Sequence, residues 1–272
     1  MRVATVDGLV TLFYDGSKEP YNEELHHEFQ DEWYNRLNSK YEEWNLSEEC
    51  RNYWNERQSW EQVIIEEGVK EIPDSSFLSC LNIKRVVFAN TVIRIGTSAF
   101  VHCQSLVYIR WSASIEFIGR QAFFYCNLSS VFIPPRCTTV ESCAFVGNKN
   151  LAIFSTPLET ELGYNVIGHT KLLNDSPFEL DSDGHTADNA AINEWLKNIN
   201  NDDKYSLHRT CASHQPLKEV IFSVIDKKGL GAFKEKNGIG ISPSRYLKEN
   251  PYCDLRELEI IQDYVMKMMG EI

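Results

Sequence analysis

The chain has 272 residues, 43% hydrophobic and 24% charged, with a net charge of −12. That mixture excludes disorder, collagen and coiled coil as whole-chain descriptions, and an acidic surface argues against nucleic acid and membrane as partners. No window approaches 18 uncharged apolar residues, and Met1–Gly8 carries Asp7 without a long apolar run, so neither a membrane span nor a secretory signal is expected.

Residues 1–59 read as an N-terminal acidic cap. Asp7-Gly8 between the apolar stretches of Val3 to Tyr14 is the signal of a type I′ hairpin. Leu25, Phe29, Trp33, Leu37 and Tyr41 then recur every four residues, which predicts a helix with one apolar stripe. Lys18 to Glu67 holds 14 acidic and 5 basic residues. The charge is expected to coat the solvent side of this helix, and the stripe to cover the open end of the repeats that begin at residue 60.

Residues 60–173 are a repeat. Aligning Trp60, Ile83, Leu106, Leu128 and Leu151 brings Ile72, Ile95, Ile118, Val140 and Leu162 into one column, with steps of 23, 23, 22 and 22. A second column holds Phe77, Phe100, Phe123 and Phe145 with Ile167 in fifth place, and a third holds Cys80, Cys103 and Cys126, then Asn148 and Thr170. The shared unit reads L-x-x-I-x-I, a short turn, then I-x-x-I-G-x-x-A-F-x-x-C. In Leu106–Trp111, Ile109 and Trp111 alternate as the inner face of a short strand, and Ile115–Ile118 with Ala122-Phe123 supply a second apolar edge. One unit cannot bury enough to order itself, so stacking is required.

These columns closely resemble the BspA-like leucine-rich repeats, a class of about 23 residues per unit, with Ile95-Gly96, Ala99-Phe100 and Cys103, then Ile118-Gly119, Ala122-Phe123 and Cys126, carrying the likeness. The fourth and fifth units drift, losing the Cys and then the Phe, as an array nearing its end does. The resemblance implies an α+β protein: a right-handed leucine-rich-repeat solenoid of about five units with a sheet on its concave face, in a family of binding or adhesion modules and not of catalysts.

Asn174 to Asp188 is polar and irregular, a linker. From residue 189 to 272 the patterns are helical: Ile192, Trp195 and Leu196; Val220, Ile221, Val224 and Ile225; Leu255, Leu258, Ile261, Tyr264 and Val265. Tyr205, Ser206-Leu207-His208 and Cys211 before Val220-Ile221, followed by Asn237, Gly240 and Ser242-Pro243, resemble an ankyrin repeat and the start of another. The resemblance implies a divergent ankyrin-like module.

Chemistry is sparse. The eight cysteines form no C-x-x-C pair, so no structural zinc site is expected, and the Cys80, Cys103 and Cys126 column reads as packed thiols. Glu179, Asp181, Asp183 and Gly184 suggest a calcium loop, but Ala190 stands where the bidentate Glu belongs. His26-His27 lacks a third ligand and reads as exposed, and His208 with Cys211 reads as packing. Neither a phosphate loop nor an acid/base pair is evident, so no enzyme, cofactor, metal or small-molecule substrate is expected. Asn45, Asn127 and Asn174 begin glycosylation sequons, which count only in a secreted protein.

The candidate site is the concave sheet, whose outward strand positions are Gln62, Ile64, Arg85, Val87, Tyr108, Arg110, Ser130, Phe132, Ile153 and Ser155. The expected function is non-catalytic protein binding through that face and the helical end, in the cytoplasm or nucleus; the alternative is a cell-surface or secreted adhesin.

Overall fold

The computed structural model describes residues 1–17, 20–38, 46–180, 188–198, 211, 218–228, 231–236, 241–250 and 255–269. The chain opens with an antiparallel hairpin of β1 (Arg2–Val6) and β2 (Leu9–Tyr14). Asp7 and Gly8 hold φ of 51° and 78°, the pair of positive values that a type I′ turn demands. The hairpin is more than a lid. Its second strand pairs in parallel with β3 (Gln62–Ile65), so it is the outermost part of the array's own sheet.

Two helices separate the hairpin from the first repeat: α1 (Glu23–Asn38) and α2 (Glu48–Ser59). Ser47 caps α2 by accepting the Cys50 N–H at 3.0 Å. Arg57 anchors the helix to the array. Its guanidinium, almost wholly buried, donates to the carbonyls of Pro20, Ser76 and Leu78, the last at 2.9 Å. Gln58 joins in, donating to Ser79 O at 2.9 Å and accepting the Leu81 N–H at 3.0 Å. A buried cation is held here by carbonyl oxygens and by the faces of Tyr53 and Trp60.

Each repeat contributes one longer and one shorter strand. The longer strands are β3, β5 (Arg85–Val87), β7 (Tyr108–Arg110), β9 (Ser130–Phe132) and β11 (Ile153–Ser155). The shorter ones are β4 (Glu71–Ile72), β6 (Arg94–Ile95), β8 (Phe117–Ile118), β10 (Thr139–Val140) and β12 (Glu161–Leu162), and they form one continuous parallel sheet. Val63, Val86, Ile109, Val131 and Phe154 point inward from the long strands into the main core, as strand alternation requires. Between the two sheets the Phe column stacks. Phe100 and Phe123 lie 5.3 Å apart at 2°, and Phe123 and Phe145 5.4 Å apart at 4°.

Two columns of left-handed residues make the third side of each rung. Ser75, Ser98, Gln121, Cys143 and Asn165 form one, and Ser79, His102, Tyr125 and His169 the other, all with φ between 51° and 60°. L-residues resist this conformation. Here it turns alternate N–H groups onto the next rung: Ser98, Phe100 and His102 donate to the carbonyls of Arg120, Ala122 and Phe124 at 2.7–2.8 Å. Gly147 occupies the second column in the fourth rung, where an added Cβ would sit 2.8 Å from the Tyr125 ring.

The cysteine column has a hydrogen-bonding role. Cys103 Sγ donates to Phe77 O, and Cys126 Sγ to Phe100 O, each at 3.1 Å. All three thiols are buried and unbridged, and burial raises Cys80 to about 11 and Cys103 and Cys126 well above the usual thiol range. After Cys126 the turn to Leu128 is one residue shorter than its counterparts Cys80–Ile83 and Cys103–Leu106. The long-strand ladder breaks at the same level, into β1-β2-β3-β5-β7 and β9-β11.

Beyond α3 (Lys171–Asn174), the stretch expected as a linker is without regular structure through Leu180, yet Phe178 packs edge-on against Trp195 at 5.6 Å. Helix α4 (Asn189–Asn198) belongs to the array, because Ile192 and Leu196 join its core. Asn189 Oδ1 accepts the Asn165 N–H at 2.7 Å, and Asn193 Nδ2 donates to Leu162 O at 2.7 Å, so last-rung backbone groups find partners on this helix.

Among the described residues that follow are helices α5 (Lys218–Lys228), α6 (Gly231–Lys234), α7 (Pro243–Glu249) and α8 (Leu255–Met269). They enclose a second core of Cys211, Ile221, Ile225, Phe233, Ile241, Tyr246, Leu247 and Ile261. The C-terminal region is thus helical. Most residues of the ankyrin-like pattern, Tyr205 to His208 and Asn237 to Gly240 among them, lie outside the described residues, as do Tyr41, Asn45 and Asp181 to Ala187.

Candidate functional surface of the repeat array

The outward positions of the long strands form two rows across the sheet. Register places Phe13, Ile64, Val87 and Arg110 side by side in one row, and Thr11, Gln62, Arg85 and Tyr108 in the other. Tyr108 is 40% exposed and Arg110 is exposed, while Ile64, Arg85, Val87 and Ser130 are half-buried. Gln62, expected on the open face, is only 5% exposed, set in register between Thr11 and Arg85.

Phe132 departs furthest from expectation. It is 1% exposed and packs, together with the fully buried Ile153, in the second core under the C-terminal helices. Phe132 is therefore a wall of that core and not an open contact residue. The physical reason is the apolar pair itself: an outward Phe and Ile on adjacent strands are a surface that water disfavours, and the chain covers it with its own helices.

The polar contacts of the face are few. Arg2 pairs with Glu66 at 3.2 Å and lies over the Phe13 ring at 3.6 Å from its centre. Arg85 lies 5.1 Å from the centre of the Tyr108 ring. Among the described residues, neither Arg85 nor Arg110 has an ion pair; Lys84, just before β5, pairs with Glu61. Arg2 and Phe13 extend the rows beyond the residues that the repeat alone identifies, and only the hairpin signal in the sequence could have hinted at them.

A cavity of about 800 Å³ lies between the N-terminal helices and the turns of the first rungs, lined by Phe29, Trp54, Leu81, His26 and His102 among others. His26, expected to be exposed, is 3% exposed, packed between Tyr21 and Trp54, and burial with help from Arg57 and His27 holds its pKa at about 4. Its place is the helix stripe, one residue after Leu25, where a neutral ring can fill an apolar gap. Among the described residues, no group of three or more His, Cys, Asp and Glu could hold a metal ion, and no helix is long and apolar enough to cross a membrane.

The columns of Phe, Cys and left-handed turns coincide with a known sequence pattern: the profile of the BspA type leucine rich repeat region matches residues 51–176 in 6 copies. Residues 51–176 are a BspA-type leucine-rich repeat region. Such repeats are typically protein-interaction modules. Among solved structures, the chain is similar to a leucine rich cell surface protein from Faecalibacterium prausnitzii A2-165, at 31% identity over 37% of this chain and 27% of that one, with a TM-score of 0.36. It is similar to a leucine-rich repeat protein from Eubacterium ventriosum ATCC 27560, at 22% identity over 48% and 35%, TM-score 0.39. For a leucine-rich repeat protein from Bacteroides ovatus ATCC 8483 the values are 18%, 42% and 42%, with a TM-score of 0.32. The chain spans less than half the length of each of these three structures. The curated proteins give no match.

Proposed function

We propose that this chain is a non-catalytic protein-binding module, taking its partner on the part of the outward long-strand face that the C-terminal helices leave open. The observation that carries the proposal is the exposed Tyr108 beside Arg110, which has no ion pair among the described residues, with Ile64 and Val87 half-buried around them. Tyr and Arg are the residues from which interface anchors are most often built. The C-terminal helices are a second surface in this reading, and the ankyrin-like character assigned to them is part of the same proposal, as are a cytoplasmic or nuclear location and the domain limits 1–59 and 60–173; the expected limits 174–188 and 189–272 give way, because Ile192 and Leu196 of α4 pack in the array's core. An alternative, a cell-surface or secreted adhesin, draws its support from the BspA-type repeats.

A photo-crosslinking amino acid placed at position 108, and separately at the exposed Tyr164 away from this face, tests the surface. In extracts of the source cells, adducts at 108 that are missing at 164 are expected. The same adducts from both positions, or none from 108, would overturn the proposal. Labelling of intact cells with a membrane-impermeant biotin reagent decides between the locations: labelled protein selects the adhesin.

A further inference from the structure

We infer that the segment recognised by this face is acidic and extended, with carboxylates on alternate residues; this rests on the binding surface proposed above. The warrant is a four-residue patch on two neighbouring parallel strands. Register sets Arg85 against Tyr108 and Val87 against Arg110, so the two arginines lie on one diagonal and the apolar pair on the other. Strand spacing and a two-residue rise put the diagonal Cα atoms roughly 8 Å apart. Alternate residues of an extended peptide lie on one side at roughly 6.6–6.8 Å, close enough for two carboxylates to meet two guanidinium groups.

The pairing of the basic residues on this face points the same way. Arg2 and Lys84 have carboxylate partners in Glu66 and Glu61, whereas Arg85 faces the Tyr108 ring and, among the described residues, neither it nor Arg110 has an ion pair. The chain as a whole carries −12, so carboxylates are plentiful, and yet none among the described residues is placed against this pair. A guanidinium presents paired N–H donors that match a carboxylate in two-point contact. The same net charge repels a long polyanion such as nucleic acid, which leaves a short peptide with a few carboxylates and an apolar residue for Val87 and the Tyr108 ring.

Panning a phage-displayed library of random dodecamers against the full chain tests this, with the double variant Arg85→Glu/Arg110→Glu and the single variant Tyr108→Ala run in parallel. Circular dichroism and urea melts confirm the fold of each, and Arg85→Gln/Arg110→Gln replaces the double variant if it fails to fold. The wild-type pool should be enriched in Asp and Glu at alternate positions, and those peptides should bind the double variant at least about tenfold less. A pool without an acidic excess, including one with nothing enriched, overturns the inference, as does an acidic pool that binds the double variant undiminished. Peptides without acidic bias that nevertheless lose binding in Tyr108→Ala overturn the acidic inference while leaving the surface in place. Peptides indifferent to all the variants overturn both.

Discussion

Replacing Asn148 by Cys would restore the repeat's own consensus, and the structure says that it should weaken the protein. In the ordinary rungs the N–H after the turn closes onto the cysteine carbonyl three residues back: Ile83 to Cys80 at 3.3 Å and Leu106 to Cys103 at 2.9 Å. The turn after Cys126 is one residue short, so Leu128 has no such carbonyl. Its N–H goes instead to Asn148 Oδ1 at 3.0 Å, while Asn148 Nδ2 donates to Phe123 O at 2.8 Å and Phe145 O at 2.9 Å. A thiol could replace the bond to Phe123 O, as in the rungs before it. It would lose the bond to Phe145 O, a net of about 0.5–1.5 kcal/mol, and orphan a buried N–H, about 1–3 kcal/mol. Asn148→Cys should therefore cost about 1.5–4.5 kcal/mol in an equilibrium urea melt, against a typical total of about 5–15. Inserting one residue between Asn127 and Leu128 in the same variant should recover part of that loss. A variant as stable as the parent, or an insertion that only adds damage, would refute the link between the short turn and the asparagine.

Phe123→Ala removes the middle ring of the stack, which also meets Trp111 edge-on at 5.4 Å, and should cost about 3–5 kcal/mol by the same melt; a loss under about 1 kcal/mol would contradict the packing. His26 is neutral in the fold, with a pKa lowered from 6.5 to about 4 by burial, so its contribution to stability is complete above pH 6.5 and is lost as pH falls toward 4. Urea melts across that range should show a steeper acid loss for the parent than for His26→Phe, and parallel curves would rule the residue out as a source of acid sensitivity.

The rungs are legible because a period of 22–23 residues repeats the same inward positions, and the buried Phe and Cys columns sit where the alignment puts them. The illegible parts have the same cause. Inward and outward positions of one strand can be told apart by phase, but phase does not say whether something else covers the outside, and so Phe132 looks like Tyr108. The hairpin is a local signal, and nothing in Asp7-Gly8 announces that β2 continues the sheet onto β3. Asn148 reads as decay of the pattern because its partners, Leu128 and Phe123, are 20 and 25 residues away. Most of the left-handed turns carry residues such as Ser, His, Gln and Tyr where glycine would have marked them, and the bonds between rungs that hold this conformation are made by the backbone and leave no mark on the side chains.

The C-terminal helices cannot complete their hydrophobic centre alone, since Phe132 and Ile153 are part of it and belong to strands of the fourth and fifth rungs. The stability of these helices is therefore tied to the rungs, whose fourth and fifth strands supply the floor they pack on. A chain cut after residue 198 would keep its rungs but bare a Phe–Ile patch suited to apolar helices, including those of another copy. Exchange of helices between two chains would satisfy the same contacts, which makes domain swapping a natural by-product of any variant that frees this segment.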